Sequence, residues 1–270
     1  MLRHLLAFLI LAVAGAAAAQ DDVPFVTTPD HVTQTMLELA GVGPADHLID
    51  LGSGDGRIVI TAARRFGASG QGVEIVGELV RKSRDLARRA GVDKRVEFLE
   101  QDLFETDLSR ATVVTMYLLP TVNLQLRPRL LGLRAGTRIV SHDWDMGDWK
   151  PDRTRRVAVP DKPLGLDKAS TLLLWIVPAR VHGNWCSGDA RLDLTQRFQT
   201  FSATLTRGES TVPLLVFDGR IDGKTLAADG VFGASLQVLD SGQLELRSIS
   251  QPAQDLVGRR FVRSDGASCR

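Results

Sequence analysis

Cysteine is scarce in this sequence: its 270 residues include two, Cys186 and Cys269, both in the last third of the chain. They have no C-x-x-C spacing and no flanking histidine set, which argues against a zinc site. An excess of either charge is also missing. Lys and Arg number 33 against 32 Asp and Glu, a net +1, so there is no overall basic field to draw in nucleic acid. The one basic run, Arg81-Lys82-Ser83-Arg84 with Arg88-Arg89 behind it, has the spacing of a single solvated helix face. Internal repeats and low-complexity tracts are absent after the N-terminus. The apolar and charged fractions of 44% and 24% exclude a disordered chain. There is a single tyrosine, Tyr117.

The N-terminus has an export pattern. Arg3 and His4 precede an apolar stretch from Leu5 to Ala14, and Ala17-Ala18-Ala19 offers an A-x-A cleavage site. Residues 1–19 therefore read as a signal peptide. The alternative is an uncleaved anchor through residues 5–19, although that stretch is short against the roughly 20 residues a span needs. Behind an export signal, Cys186 and Cys269 are expected to pair as a disulfide, with two free buried thiols as the alternative.

Length favours two bodies. Between residues 23 and 179, short β-branched runs at 47–51, 72–75, 95–99, 111–118 and 137–141 alternate with helical patterns at 57–66, 78–90 and 122–133. This predicts βαβ units around a mainly parallel sheet. A Pro/Gly/Asp-rich stretch at 144–167 breaks the alternation, and 171–177 reads as a last buried strand. From residue 182 to 270 the runs at 191–194, 200–205, 212–217, 232–239, 243–249 and 260–262 are short and separated by turn residues. That pattern predicts a small all-β antiparallel domain, a compact sheet or barrel, with a core that includes Trp185, Phe217, Phe232 and Phe261.

The strongest chemical signal is Asp50-Leu51-Gly52-Ser53-Gly54-Asp55-Gly56-Arg57, placed between the first strand and the first helical pattern. Glycines there permit a tight turn and a close backbone approach to a ligand at a helix N-terminus. The spacing D-x-G-x-G-x-G departs from the dinucleotide fingerprint. Asp50 and Asp55 would repel a pyrophosphate, whereas they attract the sulfonium and ammonium of S-adenosyl-L-methionine (SAM). Glu74 follows about 20 residues on, where an acid meets ribose hydroxyls. Asp102 is placed to accept from an adenine amine, with Leu103 against the ring. The three acids fall at the carboxyl ends of three successive strands, where an open α/β sheet binds ligands.

At these residues the chain resembles the class I SAM-dependent methyltransferases, whose fold is a Rossmann-like, mainly parallel seven-stranded sheet. More narrowly, Pro24-Phe25-Val26-Thr27-Thr28-Pro29, the loop at 50–57, Gly72-Val73-Glu74, Gln101-Asp102-Leu103-Phe104 and the run at 113–120 resemble the small protein-lysine methyltransferases that act on the ATP synthase c-subunit and the adenine nucleotide carrier. The resemblance implies that Phe25 and Thr28 close over the methionine end of SAM. It also implies that Asp50, Gly52, Gly54, Glu74 and Asp102 hold the cofactor and that the substrate is a protein lysine; the motif reading adds Ser53, Asp55, Gly56 and Leu103 to the cofactor site. Methyltransferases of amide or nucleobase amines carry D/N-P-P-Y/F after the fourth strand. This chain has Thr115-Met116-Tyr117-Leu118-Leu119-Pro120 there, which disfavours a nucleobase or glutamine acceptor.

Tyr117 is expected to line the acceptor channel, with a half-buried packing role as the alternative. The segment Ser141-His142-Asp143-Trp144-Asp145-Met146-Gly147-Asp148-Trp149 overhangs the same face. Its tryptophans would cradle an aliphatic cation, or its acids and histidine would bind a metal, or it is a loop with tryptophan packed beneath it. No metal is assigned. The β-rich part is read as a partner-binding or envelope-docking module. A competing reading makes the whole chain a non-catalytic exported module, because export removes it from cytosolic SAM. The intact glycine loop favours the enzyme.

Overall fold

The computed structural model describes residues 27–162, 167–230, 233–264 and 269. The expectations for residues 1–19, Phe25 and Phe232 lie outside the described residues. Helices are α1 Asp30–Leu39, α2 Arg57–Phe66, α3 Gly77–Arg89 and α4 Pro120–Leu130. The first seven strands are β1 His47–Leu51, β2 Ser69–Glu74, β3 Val96–Glu100, β4 Val113–Met116, β5 Arg138–His142, β6 Arg153–Ala158 and β7 Ala169–Ile176. They form one sheet in the order β3-β2-β1-β4-β5-β7-β6. β1 to β5 are parallel to one another, and β7 runs antiparallel to both β5 and β6. The domain has the Rossmann-like methyltransferase fold.

Local chemistry explains the elements that place the site. α2 starts at Gly56 and ends at Gly67, both in the left-handed region (φ 76° and 72°), which glycine adopts without Cβ strain. Between them Ile58, Val59, Ala62 and Ala63 are buried along one face. α4 begins two residues before the predicted helical pattern because Pro120 suits a first turn, where no N–H is required. The central strands β1, β4 and β5 are almost wholly buried, as expected for a sheet covered on both faces. β6 lies within the stretch at 144–167 whose composition signals a break. Its residues Arg153 to Arg156 are all exposed, so as an edge strand it carries no apolar signature.

The two faces of the sheet are covered differently. Val32, Met36, Ile58, Val59, Ala62, Val80 and Ala87 from α1, α2 and α3 pack over Leu48, Val113, Val140 and Leu172. On the other face Leu126 and Leu130 of α4 cover Ile49, Val114 and Met116, and Met146 and Trp149 from the β5–β6 connection cover Ile139, Leu173 and Trp175.

The remaining strands are β8 Gly183–Ser187, β9 Ala190–Arg197, β10 Thr200–Arg207, β11 Leu215–Asp222, β12 Thr225–Ala228, β13 Ser235–Val238, β14 Leu244–Ser248 and β15 Arg260–Ser264. They close an antiparallel eight-stranded barrel, whose interior is filled by Trp185, Leu192, Phe201, Phe217, Leu236, Phe261 and their neighbours, as a barrel of this size permits. β11 begins later than predicted, after Pro213, and continues through Asp218-Gly219. That pair resembles a turn signal, but Gly219 sits inside the strand, where a Cβ would meet the Ala227 carbonyl at 2.1 Å. Cys186 and Cys269 are joined as a disulfide. Among the described residues no helix is long and apolar enough to cross a membrane.

Candidate active site

A cavity of about 600 Å³ opens at the carboxyl ends of β1, β2 and β4 and the turn after β3. Asp50, Gly52, Ser53, Gly54, Asp55, Glu74, Asp102, Leu103 and Tyr117 line it, together with Thr28. The structure therefore brings together every described residue singled out for the cofactor except Gly56. That glycine instead turns the chain into α2, where a Cβ would lie 2.5 Å from the Phe98 ring.

Asp50, the penultimate residue of β1, is buried and accepts a hydrogen bond from the Thr115 hydroxyl (2.7 Å). Its carboxyl is pushed up to about 7, first by burial and then by the charges of Glu74 and Asp55, against the opposing Thr115 bond. A cation entering the cavity relieves that repulsion. Glu74 shapes the loop it faces: the Gly54 N–H donates to its Oε2 and the Val76 N–H to its Oε1, both at 3.0 Å. Asp102 accepts from the Phe104 N–H (2.8 Å) and so caps the short 3-10 turn at 103–105. Ile75, Val76 and Phe104 are exposed at the cavity's edge, apolar surface suited to a flat ring. Among the described residues the Ser53 hydroxyl is buried without a partner. A buried, unpaired hydroxyl, an apolar slot and convergent carboxylates fit SAM, a cationic nucleoside.

Asp55 is committed elsewhere. Both its oxygens accept from Arg57, at 2.9 and 2.8 Å. Burial raises its carboxyl, yet Arg57 and Lys82 hold it below the ordinary carboxylate value. Arg57 also donates to the Thr28 carbonyl at 3.0 Å, which fastens the N-terminal segment across the cavity. Sequence reasoning misses this clamp, although Arg57 stands at the end of the glycine motif.

Tyr117 is half-buried beneath the cavity and stacks on His142, with ring centroids 3.9 Å apart. Burial raises its phenol, and so do the charge of Asp143 and a hydrogen bond with it. His142 is 1% exposed. Its Nδ1 meets the Thr28 hydroxyl (3.0 Å) and its Nε2 the Ser170 hydroxyl (2.7 Å). Burial holds it down to about 4, against the pull of Asp143 and with the push of Lys162, so the imidazole is neutral near pH 7. Asp143, at φ 65°, accepts from the Thr171 N–H (2.8 Å) and Lys162 Nζ (2.7 Å). These partners occupy both His142 nitrogens and both Asp143 oxygens, and among the described residues no His, Cys, Asp or Glu cluster is set for a metal. The tryptophans divide: Trp149 is fully buried and Trp144 is 42% exposed.

Comparison with known proteins gives the same reading. Residues 50–153 match the model of the ANTKMT methyltransferase domain. A protein-lysine N-methyltransferase of Saccharolobus islandicus (strain REY15A) is 44% identical over 137 residues, which span 50% of this chain and 85% of that protein. This chain belongs to that methyltransferase family. The lysine N-methyltransferase of the ATP synthase c-subunit from Mus musculus is 38% identical over 108 residues, 40% of this chain and 43% of that protein. A crystal structure with S-adenosyl-L-homocysteine, of a protein from Salinibacter ruber described as an RNA methyltransferase, is 53% identical. It has a TM-score of 0.52 and covers 58% of this chain and 96% of that one. The chain is a SAM-dependent methyltransferase.

Proposed function

We propose that the methyl acceptor is the side-chain amine of a protein lysine. The observation that carries this is the acidic and aromatic character of the acceptor side: Tyr117 lines the cavity, Asp143 stands beside its hydroxyl, and Trp144 and Asp145 follow, both exposed. The exposed Trp144 ring and Asp145 carboxylate attract an alkylammonium, and Asp145 repels a phosphate backbone. The similarity to protein-lysine methyltransferases supports the same reading, and the absence of paired prolines after β4 speaks against a nucleobase amine.

Asp50, Ser53, Glu74, Asp102 and Leu103 would hold SAM, and the segment at Thr27-Thr28 would close over it. Bound SAM supplies a methyl group already activated on its sulfonium. The protein's remaining work is to align the amine, strip its water and favour its neutral form. Burial beside Tyr117 lowers an ammonium's affinity for its proton, and the Tyr117 hydroxyl, steadied by Asp143, is the polar contact that orients the nitrogen. Tyr117→Phe is expected to lower turnover by about 10²-fold while SAM affinity stays unchanged. Steady-state kinetics beside calorimetry measures both, and full turnover in the variant removes the hydroxyl from the mechanism.

The acceptor itself is tested by incubating the full chain with labelled SAM and cell extract. Label in protease-sensitive bands, mapped to lysine by mass spectrometry, is the expected result; label that RNase removes would replace this proposal with an RNA acceptor. We also propose that the chain works after export. The support is the pattern of residues 1–19 together with the disulfide. A periplasmic reporter fused after residue 26 should be active, and a silent fusion would place the enzyme inside the cell.

A further inference from the structure

The β-barrel lies outside the residues matched by the family model, and its interior is filled with side chains. Beside the pair that Arg220 of β11 makes with Asp152 (3.0 Å), it meets the β5–β6 connection at one turn. At the β9–β10 turn, Arg197, the last residue of β9, and the next two residues hold three consecutive residues of the β5–β6 connection. Arg197 pairs with Asp148 (3.2 Å), the Phe198 ring stacks on Trp149 (centroids 6.1 Å, interplanar angle 18°), and the Gln199 side chain, 4% exposed, donates to the Lys150 carbonyl at 2.6 Å.

Phe198 adopts φ 52°, a left-handed conformation disfavoured for a non-glycine residue that persists where the surroundings over-determine it. Here they do so from two sides. Trp149 packs on Trp175 (6.0 Å), whose indole N–H donates to the Trp149 carbonyl at 2.8 Å. Arg127 of α4 lies over the Phe198 ring at 5.8 Å, donates to the Met146 carbonyl at 2.9 Å and also pairs with Asp148. The other end of the same connection, at Trp144 and Asp145, is the segment read above as the acceptor rim. There the buried Asn123 holds the carbonyls of Trp144 (3.1 Å) and Asp145 (3.3 Å).

We propose that the β9–β10 turn is a brace that sets the acceptor-side loop at 143–150, and that Phe198 and Gln199 are positioning residues for methyl transfer. The barrel thus backs the connection that, beside α4, covers this face of the sheet. This rests on the reading of the loop as the acceptor rim.

The test is Phe198→Ala in the full chain, with Phe198→Tyr as the conservative control and Gln199→Ala should the first variant fail to fold. Amide hydrogen exchange should accelerate across 144–150 and stay unchanged at 50–56 and 72–76. Affinity for S-adenosyl-L-homocysteine should be unchanged by calorimetry, and label transferred to extract proteins should fall about tenfold or more. Phe198→Tyr should restore both exchange and transfer. Unchanged exchange in 144–150 overturns the brace. So does a loss of cofactor affinity in step with transfer, which would show general destabilisation. If the wild-type chain labels no protein lysine, the acceptor reading falls, and exchange in the loop alone decides the brace.

Discussion

Replacing Asp50 by asparagine is expected to make the ligand-free protein more heat-stable above pH 7 and to weaken SAM binding about 100-fold, the cost of losing a hydrogen bond to a charged partner. The two effects have one cause. Burial, with Glu74 and Asp55 nearby, lifts this carboxyl to about 7 from the 3.8 of the free side chain. An acid whose folded value is raised gives stability that is fully present below about pH 4 and lost as pH rises through about 7. The ligand-free wild type should therefore melt at lower temperature at pH 8 than at pH 5.5. SAM binding draws on the ionised carboxylate, so affinity should rise with pH, by up to about tenfold per unit below 7, and level off above it. Binding below pH 7 should release a proton, which calorimetry in two buffers of different ionisation heat detects. Asp50→Asn should abolish the slope in both melting and affinity, with the Thr115 hydroxyl turning to accept from the new amide. Flat wild-type affinity between pH 5.5 and 8 would remove Asp50 from cofactor binding.

What the sequence reveals and what it hides follows from where each signal is written. β1 and α2 are delimited by features that work locally, a short buried run around Leu48, Ile49 and Leu51 and a helix bounded by Gly56 and Gly67. The three acids can be assembled because strand ends in a parallel sheet share one edge, so spacing along the chain becomes proximity. β6, β8 and β12 carry no readable pattern because each is short or exposed: β6 is arginine-rich, and in β8 and β12 only Trp185 and Leu226 are fully inward. α1 is also absent from the predicted helices, although Val32, Thr33, Met36 and Leu37 repeat at helical spacing after Pro29. At the site, Glu74 and Asp55 look equivalent as carboxylates. Only the fold shows that Glu74 organises the glycine loop while Asp55 is held by Arg57. The partners of His142 come from residues 28 and 170, separations no local pattern encodes. The seating of Phe198 on Trp149 is likewise a property of two packed bodies.

Opening the bond between Cys186 and Cys269 is expected to lower stability by about 4–5 kcal/mol, because it closes a long loop in the unfolded chain. The two residues are 83 apart in sequence. The midpoint of thermal unfolding should fall by about 10 °C or more in Cys186→Ser/Cys269→Ser, or in the wild type under reductant. The loss should be felt first at the seam that closes the barrel. β15 is held to β14 by two residue pairs and to β8 by three, one of which is Val262 with Cys186 itself. Among the described residues β15 is the barrel strand with the fewest pairs, and the disulfide ties Cys269, beyond its end, to β8. Hydrogen exchange at 244–264 should accelerate on reduction, while 47–57 keeps its protection and affinity for S-adenosyl-L-homocysteine is retained, since none of the described residues lining the cavity belongs to the barrel. An identical midpoint with and without reductant would mean that the seam holds by its backbone bonds and packed core alone. Loss of cofactor affinity on reduction would instead mean that strain at the seam reaches the carboxylates through the β9–β10 turn, a longer coupling than the loop contacts support.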